Sequence, residues 1–138
     1  MTDYRFSGKA REEYGLFKLA CPHFDFLEKQ IGVEIKKYFR TSDLKKIKAL
    51  ELGVGPGYSS IPALLTEERI VLVAIDNERI MIEQAEEVLK EFIQNNQVKL
   101  IEADALAFLK KQKSESFDLF HQMSPSFIGI GDNVTISR

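Results

Sequence analysis

The chain has 138 residues, 44% hydrophobic and 29% charged, which suits one domain with a hydrophobic core and is too short for two. The formal net charge of −2 argues against a general attraction to nucleic acid or acidic membranes. The single cysteine, Cys21, excludes an internal disulfide and suits a reducing compartment. Since the sequence has no signal-peptide pattern and no apolar run long enough to span a bilayer, we expect a cytoplasmic protein.

Residues 1–44 are predicted to form a helical flank on the core. Aromatic residues at helical spacing before Pro22 predict a short helix over 9–20. A second helix of about four turns is predicted because apolar residues then recur along one helical face. These residues are Phe24, Leu27, Ile31, Ile35 and Tyr38.

A basic run begins in the last turn of this second helix and continues beyond it, with Asp43 as the opposing acid. Its members are Lys36, Lys37, Arg40, Lys45, Lys46 and Lys48. Two interpretations stay open. The run could contact the phosphates of an RNA substrate, or it could be a solvated helix end whose cations the helix dipole favours.

The stretch from Ile47 to Ser60 contains an apolar run, three glycines at alternate positions and the start of an amphipathic segment. This order predicts a strand, a tight turn and a helix. Glycine is required where φ is positive or where a ligand approaches the backbone closely. Gly53, Gly55 and Gly57 are therefore candidate ligand-binding residues, and the following helix offers free N–H groups.

The glycine spacing and Glu51 argue against a dinucleotide and for a ligand that carries an ammonium group. A dinucleotide fingerprint would place its third glycine where Tyr58 stands, whereas the third glycine here is Gly57. Glu51, two residues before Gly53, would repel a pyrophosphate and attract an ammonium group. An NAD-type dinucleotide-binding domain and a ligand-free glycine-rich turn with a surface glutamate remain as alternatives.

The run from Ile70 to Ile75 is apolar and β-branched without alternation, which is typical of a strand covered on both faces of a parallel sheet. It ends at Asp76, 23 residues after Gly53, where an acid can accept both hydroxyls of a ribose. Asn77 is expected to cap the next helix. The buried face of that helix is predicted to comprise Met81, Ala85, Val88, Leu89 and Phe92.

Two further strands are predicted, over 98–101 and 117–123. Asp104 follows the third strand and is expected to cap the helix over 105–111. His121 in the fourth strand is a weak candidate for a general base, against the favoured interpretation of a core histidine.

Alternating strands and helices predict an α/β fold with a doubly wound, mainly parallel sheet in three layers. Ligands in such sheets bind at the carboxyl ends of the strands. The candidate segments 51–57, 76, 104–105 and 122–125 all fall at such ends.

The pattern Glu51-x-Gly53-x-Gly55-x-Gly57 resembles the first motif of the class I S-adenosylmethionine (SAM)-dependent methyltransferases. The resemblance covers residues 45–126 and implies a Rossmann-like fold, SAM as cofactor and S-adenosylhomocysteine as product. It implies that Asp104 accepts from the adenine amino group. The implied cofactor-binding residues are Glu51, Gly53, Gly55, Gly57, Asp76, Asn77, Asp104, Ala105 and Gln122.

The chain departs from this family after the fourth strand. The family fold usually has seven strands, whereas residues 127–138 have room for a short tail or hairpin turning at 131–133. We therefore expect a single SAM-binding domain that is truncated or that completes its sheet with a partner, through homo-oligomerisation at the sheet edge. Ser124-Pro125-Ser126 also lacks the Asn/Asp-Pro-Pro-aromatic signature of amino-methyltransferases, which counts against a DNA base or glutamine amide as acceptor.

The expected function is methyl transfer from SAM to an unidentified acceptor, with a small molecule favoured over tRNA. Scattered matches at 22–25, 74–77 and 81–82 faintly resemble tRNA wobble-uridine methyltransferases that use a carboxylated SAM. A non-catalytic SAM-binding or regulatory subunit, dependent on a partner, is the main alternative. We expect no metal site.

Overall fold

The computed structural model describes residues 23–114 and 116–122. In chain order its elements are α1 (Phe24–Tyr38), β1 (Ile47–Leu52), a 3₁₀ turn (Tyr58–Ser60), α2 (Ile61–Thr66), β2 (Ile70–Asp76), α3 (Arg79–Val88), α4 (Lys90–Gln94), β3 (Val98–Glu102), α5 (Ala105–Lys110) and β4 (Leu119–Gln122). The helix predicted over 9–20 and the hairpin predicted near 131–133 lie outside the described residues.

The four strands form one parallel sheet in the order β3-β2-β1-β4. The register aligns Ala49 of β1 with Leu72 of β2 on one side and with Leu119 of β4 on the other. The chain runs outward from β1 to β3 and then returns across the sheet to β4. This reversal confirms the predicted Rossmann-like, doubly wound topology and places a switch point between β1 and β4.

One face of the sheet packs under α1, α2 and α3. The buried cluster joins Ile35 of α1, Leu64 of α2 and Ala85 of α3 with apolar strand residues. Those strand residues are Ile47, Ala49, Ile70, Leu72, Ala74, Val98 and Leu119. The crossover through α5 runs in the opposite direction along the sheet, so a right-handed connection places α5 on the other face.

Gly32 lets α1 cross α2 at close range. A Cβ at this position would lie 2.9 Å from the carbonyl oxygen of Pro62 and 2.9 Å from Oγ1 of Thr66. Glycine costs an isolated helix about 1 kcal/mol relative to alanine. Here that cost is offset by close packing of α1 on α2.

Arg69 fixes the amino end of the sheet. Its guanidinium donates to both carboxylate oxygens of Glu67, at 2.9 Å each. It also donates to the carbonyls of Phe39, Ser42 and Leu44, at 2.9, 3.2 and 3.1 Å. One side chain thus ties the connection between α1 and β1 to the turn before β2.

The segment after β2 differs from the prediction in two respects. The expected cap at Asn77 is wrong, because α3 begins after Glu78, which takes the N-cap position without a side-chain capping bond. The predicted single helix is divided at Leu89, where φ is −100° and ψ is 14°. None of the helices in the described ranges has the length and apolar character needed to cross a bilayer.

Candidate cofactor-binding site

The carboxyl ends of the four strands bring the predicted site segments to one edge of the sheet. Leu52, the last residue of β1, is in register with Ile75 of β2 and with Gln122 of β4. Asp76 is in register with Glu102 of β3. The glycine turn therefore begins at the centre of this edge, beside the switch point.

The three glycines of the turn all have positive φ: 73° at Gly53, 56° at Gly55 and 90° at Gly57. The N–H groups of Gly53 and Val54 donate to the carbonyl of Ile75, at 2.8 and 3.0 Å. A residue with a Cβ is strained in this region of φ. The alternate glycines thus let the chain fold back over the end of β2.

Asp76 holds this turn in place. Its Oδ2 accepts from the N–H of Gly55 at 2.9 Å, and its Oδ1 accepts from the N–H of Glu78 at 2.9 Å. An ionised carboxylate has about four acceptor positions, so each oxygen keeps capacity for one further donor. Asp76 can therefore link the glycine turn to a bound hydroxyl pair, a double role that the sequence spacing did not reveal.

Glu51 lies in the interior. It is 1% exposed, and it accepts from the hydroxyls of Ser60 at 2.5 Å and Ser59 at 3.4 Å. Together with α1 and α2 these residues line a cavity of about 30 Å³, which is large enough for one or two waters. The two serines were not selected from the sequence, although polar residues directly after a glycine turn are typical of a helix start.

Gly57 has a packing role in addition to its conformation. It is buried, and a Cβ there would lie 3.0 Å from both Cγ and Cδ1 of Leu89. The break between α3 and α4 directs Leu89, which is 0% exposed, toward this glycine. Gly57 therefore differs from Gly53, which is exposed at the edge of the sheet.

The end of β3 contributes a capped helix. Oδ1 of Asp104 accepts from the N–H of Ala107 at 2.8 Å, which confirms the predicted cap of α5. The N–H of Ala103 donates to the carbonyl of Asp76 at 2.9 Å, and Ala105 is the first residue of α5. Asp104 and Asn77 are both exposed at this edge.

An ion-pair network that the sequence did not indicate links the start of α3 to the end of β3. Arg79 donates to Glu83 at 3.0 Å and to Glu102 at 3.4 Å. The hydrogen bond from Glu83 and then that from Glu102 raise the pKa of Arg79. This arginine is engaged with two carboxylates beside the predicted adenine position.

His121 and Gln122 belong to β4, in register with Glu51 and Leu52 respectively. Their side chains lie outside the described part of the structure, so their predicted roles stay predictions. Within residues 23–114 and 116–122, no group of three or more His, Cys, Asp or Glu side chains is arranged to hold a metal ion.

The fold has solved counterparts, although the sequence matches no protein-family model and no curated protein. A Methanococcus maripaludis protein assigned as a SAM-dependent methyltransferase has a TM-score of 0.68 and 17% identity, over 94% of this chain and 56% of that one. A SAM-dependent methyltransferase from Thiobacillus denitrificans, in complex with S-adenosylhomocysteine, has a TM-score of 0.55 and 22% identity, over 80% and 40%.

A third structure, the plantazolicin methyltransferase BpumL with S-adenosylhomocysteine, has a TM-score of 0.57 and 18% identity, over 84% of this chain and 42% of that one. The chain thus spans between 40% and 56% of these three structures. Identities of this size show the fold alone. The described residues have the Rossmann-like fold of these SAM-dependent methyltransferases.

Proposed function

We propose that this chain binds SAM at the carboxyl edge of the sheet and acts as a SAM-dependent methyltransferase. The observation that carries the proposal is the link between Asp76 and Gly55: a carboxylate at the end of β2 holds a turn of positive-φ glycines and retains acceptor capacity. That pairing supplies bare backbone and a hydroxyl acceptor at one place, as a nucleoside requires.

The residues at the edge suit a cationic ligand better than a pyrophosphate. Acids at or near the edge outnumber bases, and the cation Arg79 is paired with two carboxylates. The acids are Glu51, Asp76, Glu78, Glu102 and Asp104. The glycine turn also leads into a 3₁₀ turn and the six-residue α2, so a phosphate would not meet the start of a long helix.

The proposed contacts follow from these positions. Asp76 would accept from the ribose hydroxyls, and Asn77, Asp104 and Ala105 would lie beside the adenine. Gly53 and Gly55 would allow the ligand to approach the backbone. SAM, when bound, supplies an electrophilic methyl group, so the protein mainly has to align the acceptor with that group.

For the acceptor we favour a small molecule over tRNA. A carboxylate-rich edge repels phosphates, which works against placing a nucleic-acid backbone directly at the mouth. His121 remains a weak candidate for the base that an acceptor with a proton to lose would need. We also propose a cytoplasmic location and self-association through the sheet edge.

A second function has a specific observation in its favour. The chain spans about half of the methyltransferase structures that it resembles, so a non-catalytic SAM-binding subunit or fragment that works with a partner would carry the same edge residues. A NAD-type dinucleotide-binding domain is the third candidate.

Transfer of a radiolabelled methyl group from SAM tests the enzyme directly. The purified chain is incubated with pools of small metabolites and with unmodified tRNA. Label in a small-molecule fraction supports the proposal, and label in tRNA would reverse the choice of acceptor. If SAM binds and no pool becomes labelled, the binding subunit is favoured over the enzyme.

A further inference from the structure

Six exposed cations fall between the last turn of α1 and the second residue of β1, and we call them the basic surface. They are Lys36, Lys37, Arg40, Lys45, Lys46 and Lys48. The ion pairs found within the described ranges involve Arg69 and Arg79 and none of these six side chains. Lys36 nevertheless lies close enough to Glu67 to help lower the pKa of that carboxyl, after the larger effect of Arg69.

The dipole of α1 accounts for only part of this surface. Lys36 and Lys37 lie in the last turn of α1, where cations interact favourably with the helix end. Lys45 and Lys46 precede β1, and Lys48 is its second residue. No helix terminus explains these three lysines.

The acids nearby do not neutralise the surface. Glu67 is paired with Arg69, and Oδ2 of Asp118 accepts from the backbone N–H of Lys48 at 2.9 Å. Glu34, Asp43 and Glu68 are exposed and oppose the six cations. The amino end of the sheet is thus locally basic, although the chain as a whole carries −2.

The surface is also held in shape. The guanidinium of Arg69 donates to the carbonyls of Phe39, Ser42 and Leu44. These bonds fix the backbone between Arg40 and Lys45, which joins the two groups of cations. A preformed surface loses less conformational entropy when it binds.

An aromatic ring stands within the same turn as the helical cations. Tyr38 is 47% exposed, and its ring meets that of Phe39 edge-on at a centroid distance of 5.0 Å. Phe39 is buried and supports the tyrosine ring, about half of which faces solvent. Exposed aromatic rings among lysines and arginines are typical of surfaces on which unpaired bases stack.

We propose that the basic surface binds single-stranded nucleic acid, through its phosphates and through a base stacked on Tyr38. Lys48, the member of this surface nearest in sequence to the glycine turn, is separated from Gly53 by about 16 Å of strand, at 3.3 Å per residue. The two sites are therefore distinct, and this inference does not depend on SAM binding.

The test measures fluorescence anisotropy of a labelled single-stranded RNA of about 20 nucleotides, over a series of salt concentrations. Two triple variants that remove the same amount of charge are compared. One is Lys45→Gln, Lys46→Gln and Lys48→Gln, and the other, on surfaces elsewhere, is Lys90→Gln, Lys99→Gln and Lys113→Gln.

We expect the first triple variant to bind at least tenfold more weakly than wild type. Its slope of log K against log salt should be shallower by about 2, because each phosphate neutralised on a single strand contributes about 0.7 to the slope. The second triple variant should stay within twofold of wild type. Tyr38→Ala should weaken binding at least fivefold while leaving the salt slope unchanged, because stacking is not ionic.

Several results would overturn the proposal. One is the absence of RNA binding by wild type at low salt, and another is an equal decrease in affinity in both triple variants. Equal binding of polyglutamate or of phosphatidylserine vesicles, with the same lysine dependence, would assign the surface to an acidic protein or a membrane. The circular dichroism spectrum and the urea midpoint of each variant report whether the fold is intact. If the first triple variant fails to fold, the pair Lys37→Gln and Arg40→Gln replaces it.

Discussion

Replacing Asp76 with alanine should damage both the glycine turn and ligand binding, to different extents. In the free protein the change removes two part-buried hydrogen bonds, to Gly55 and Glu78. Bonds to a charged acceptor contribute about 1.5–3 kcal/mol each, and partial exposure places the sum at about 2–4 kcal/mol. Removing the acceptor for the ribose hydroxyls as well should weaken SAM binding at least tenfold, since tenfold corresponds to about 1.4 kcal/mol.

The direct contact can be separated from the effect on the turn by changing the ligand. Calorimetric titration compares S-adenosylhomocysteine with its 2′,3′-dideoxy analogue, on wild type and on Asp76→Ala. If Asp76 accepts from the ribose, the substitution weakens binding of the natural ligand more than that of the analogue. Equal weakening of both would show that Asp76 acts through the glycine turn alone.

A control for stability comes from the opposite end of the sheet. Glu67→Gln disrupts the contacts of Arg69, so it should also lower the free energy of unfolding. It lies far from the glycine turn and should leave the affinity for SAM within twofold at a temperature where the variant is folded. The reasoning about Asp76 is refuted if Asp76→Ala also stays within twofold.

The other predictions concern the glycines, acid stability and assembly. Gly55→Val should abolish SAM binding in calorimetry, because a branched side chain at φ 56° strains the turn and occupies ligand space; normal binding would place the ligand elsewhere. Gly57→Ala should lower the free energy of unfolding in urea by about 1–3 kcal/mol through strain and contact with Leu89, and an unchanged midpoint would contradict this. Hydrogen bonds from Arg69 lower the pKa of Glu67 from its ordinary 4.5, against burial, which raises it. This carboxylate therefore stabilises the fold above pH 4.5, and the stabilisation is lost as the pH falls further. Below pH 4.5 the difference in free energy of unfolding between wild type and Glu67→Gln should shrink, and a difference that stays constant would contradict this. Within the described residues β4 pairs on one side, with β1, so light scattering should show concentration-dependent self-association; a monomer near 15.8 kDa at every concentration would contradict it.

Strand positions and sheet type could be predicted because each depends on local sequence. The unbroken apolar run at Ile70–Ile75 indicated a strand covered on both faces, and the structure has β2 there within a parallel sheet. The glycine turn was equally predictable, since positive φ at Gly53, Gly55 and Gly57 restricts the choice of residue. The cap at Asp104 followed from its position directly before a helical pattern.

Long-range contacts could not be predicted in the same way. The bond from Gly55 to Asp76 joins residues 21 positions apart, and the bonds from Arg69 to the 39–44 segment span 25 to 30 positions. Such contacts depend on how the elements pack, which periodicity does not specify. The expected cap at Asn77 failed for a local reason instead, because α3 begins only after Glu78, one residue later than a cap at Asn77 would set it.

The environment of Glu51 shows the same limit within the site. Its place before the glycines predicted a carboxylate facing a ligand, with a surface glutamate as the alternative. In the structure it is buried and bonded to Ser59 and Ser60. The sequence could not reveal this burial, because α1 and α2 create it together. Attraction of the SAM ammonium group by Glu51 stays a prediction.

Titration calorimetry of the purified chain with SAM, S-adenosylhomocysteine, NAD and NADP tests the central claim most directly. The glycine turn, Asp76 and the carboxylate-rich edge predict that SAM and S-adenosylhomocysteine bind and that both dinucleotides bind much more weakly, if at all. Tighter binding of NAD or NADP, or no binding of SAM, would contradict the account.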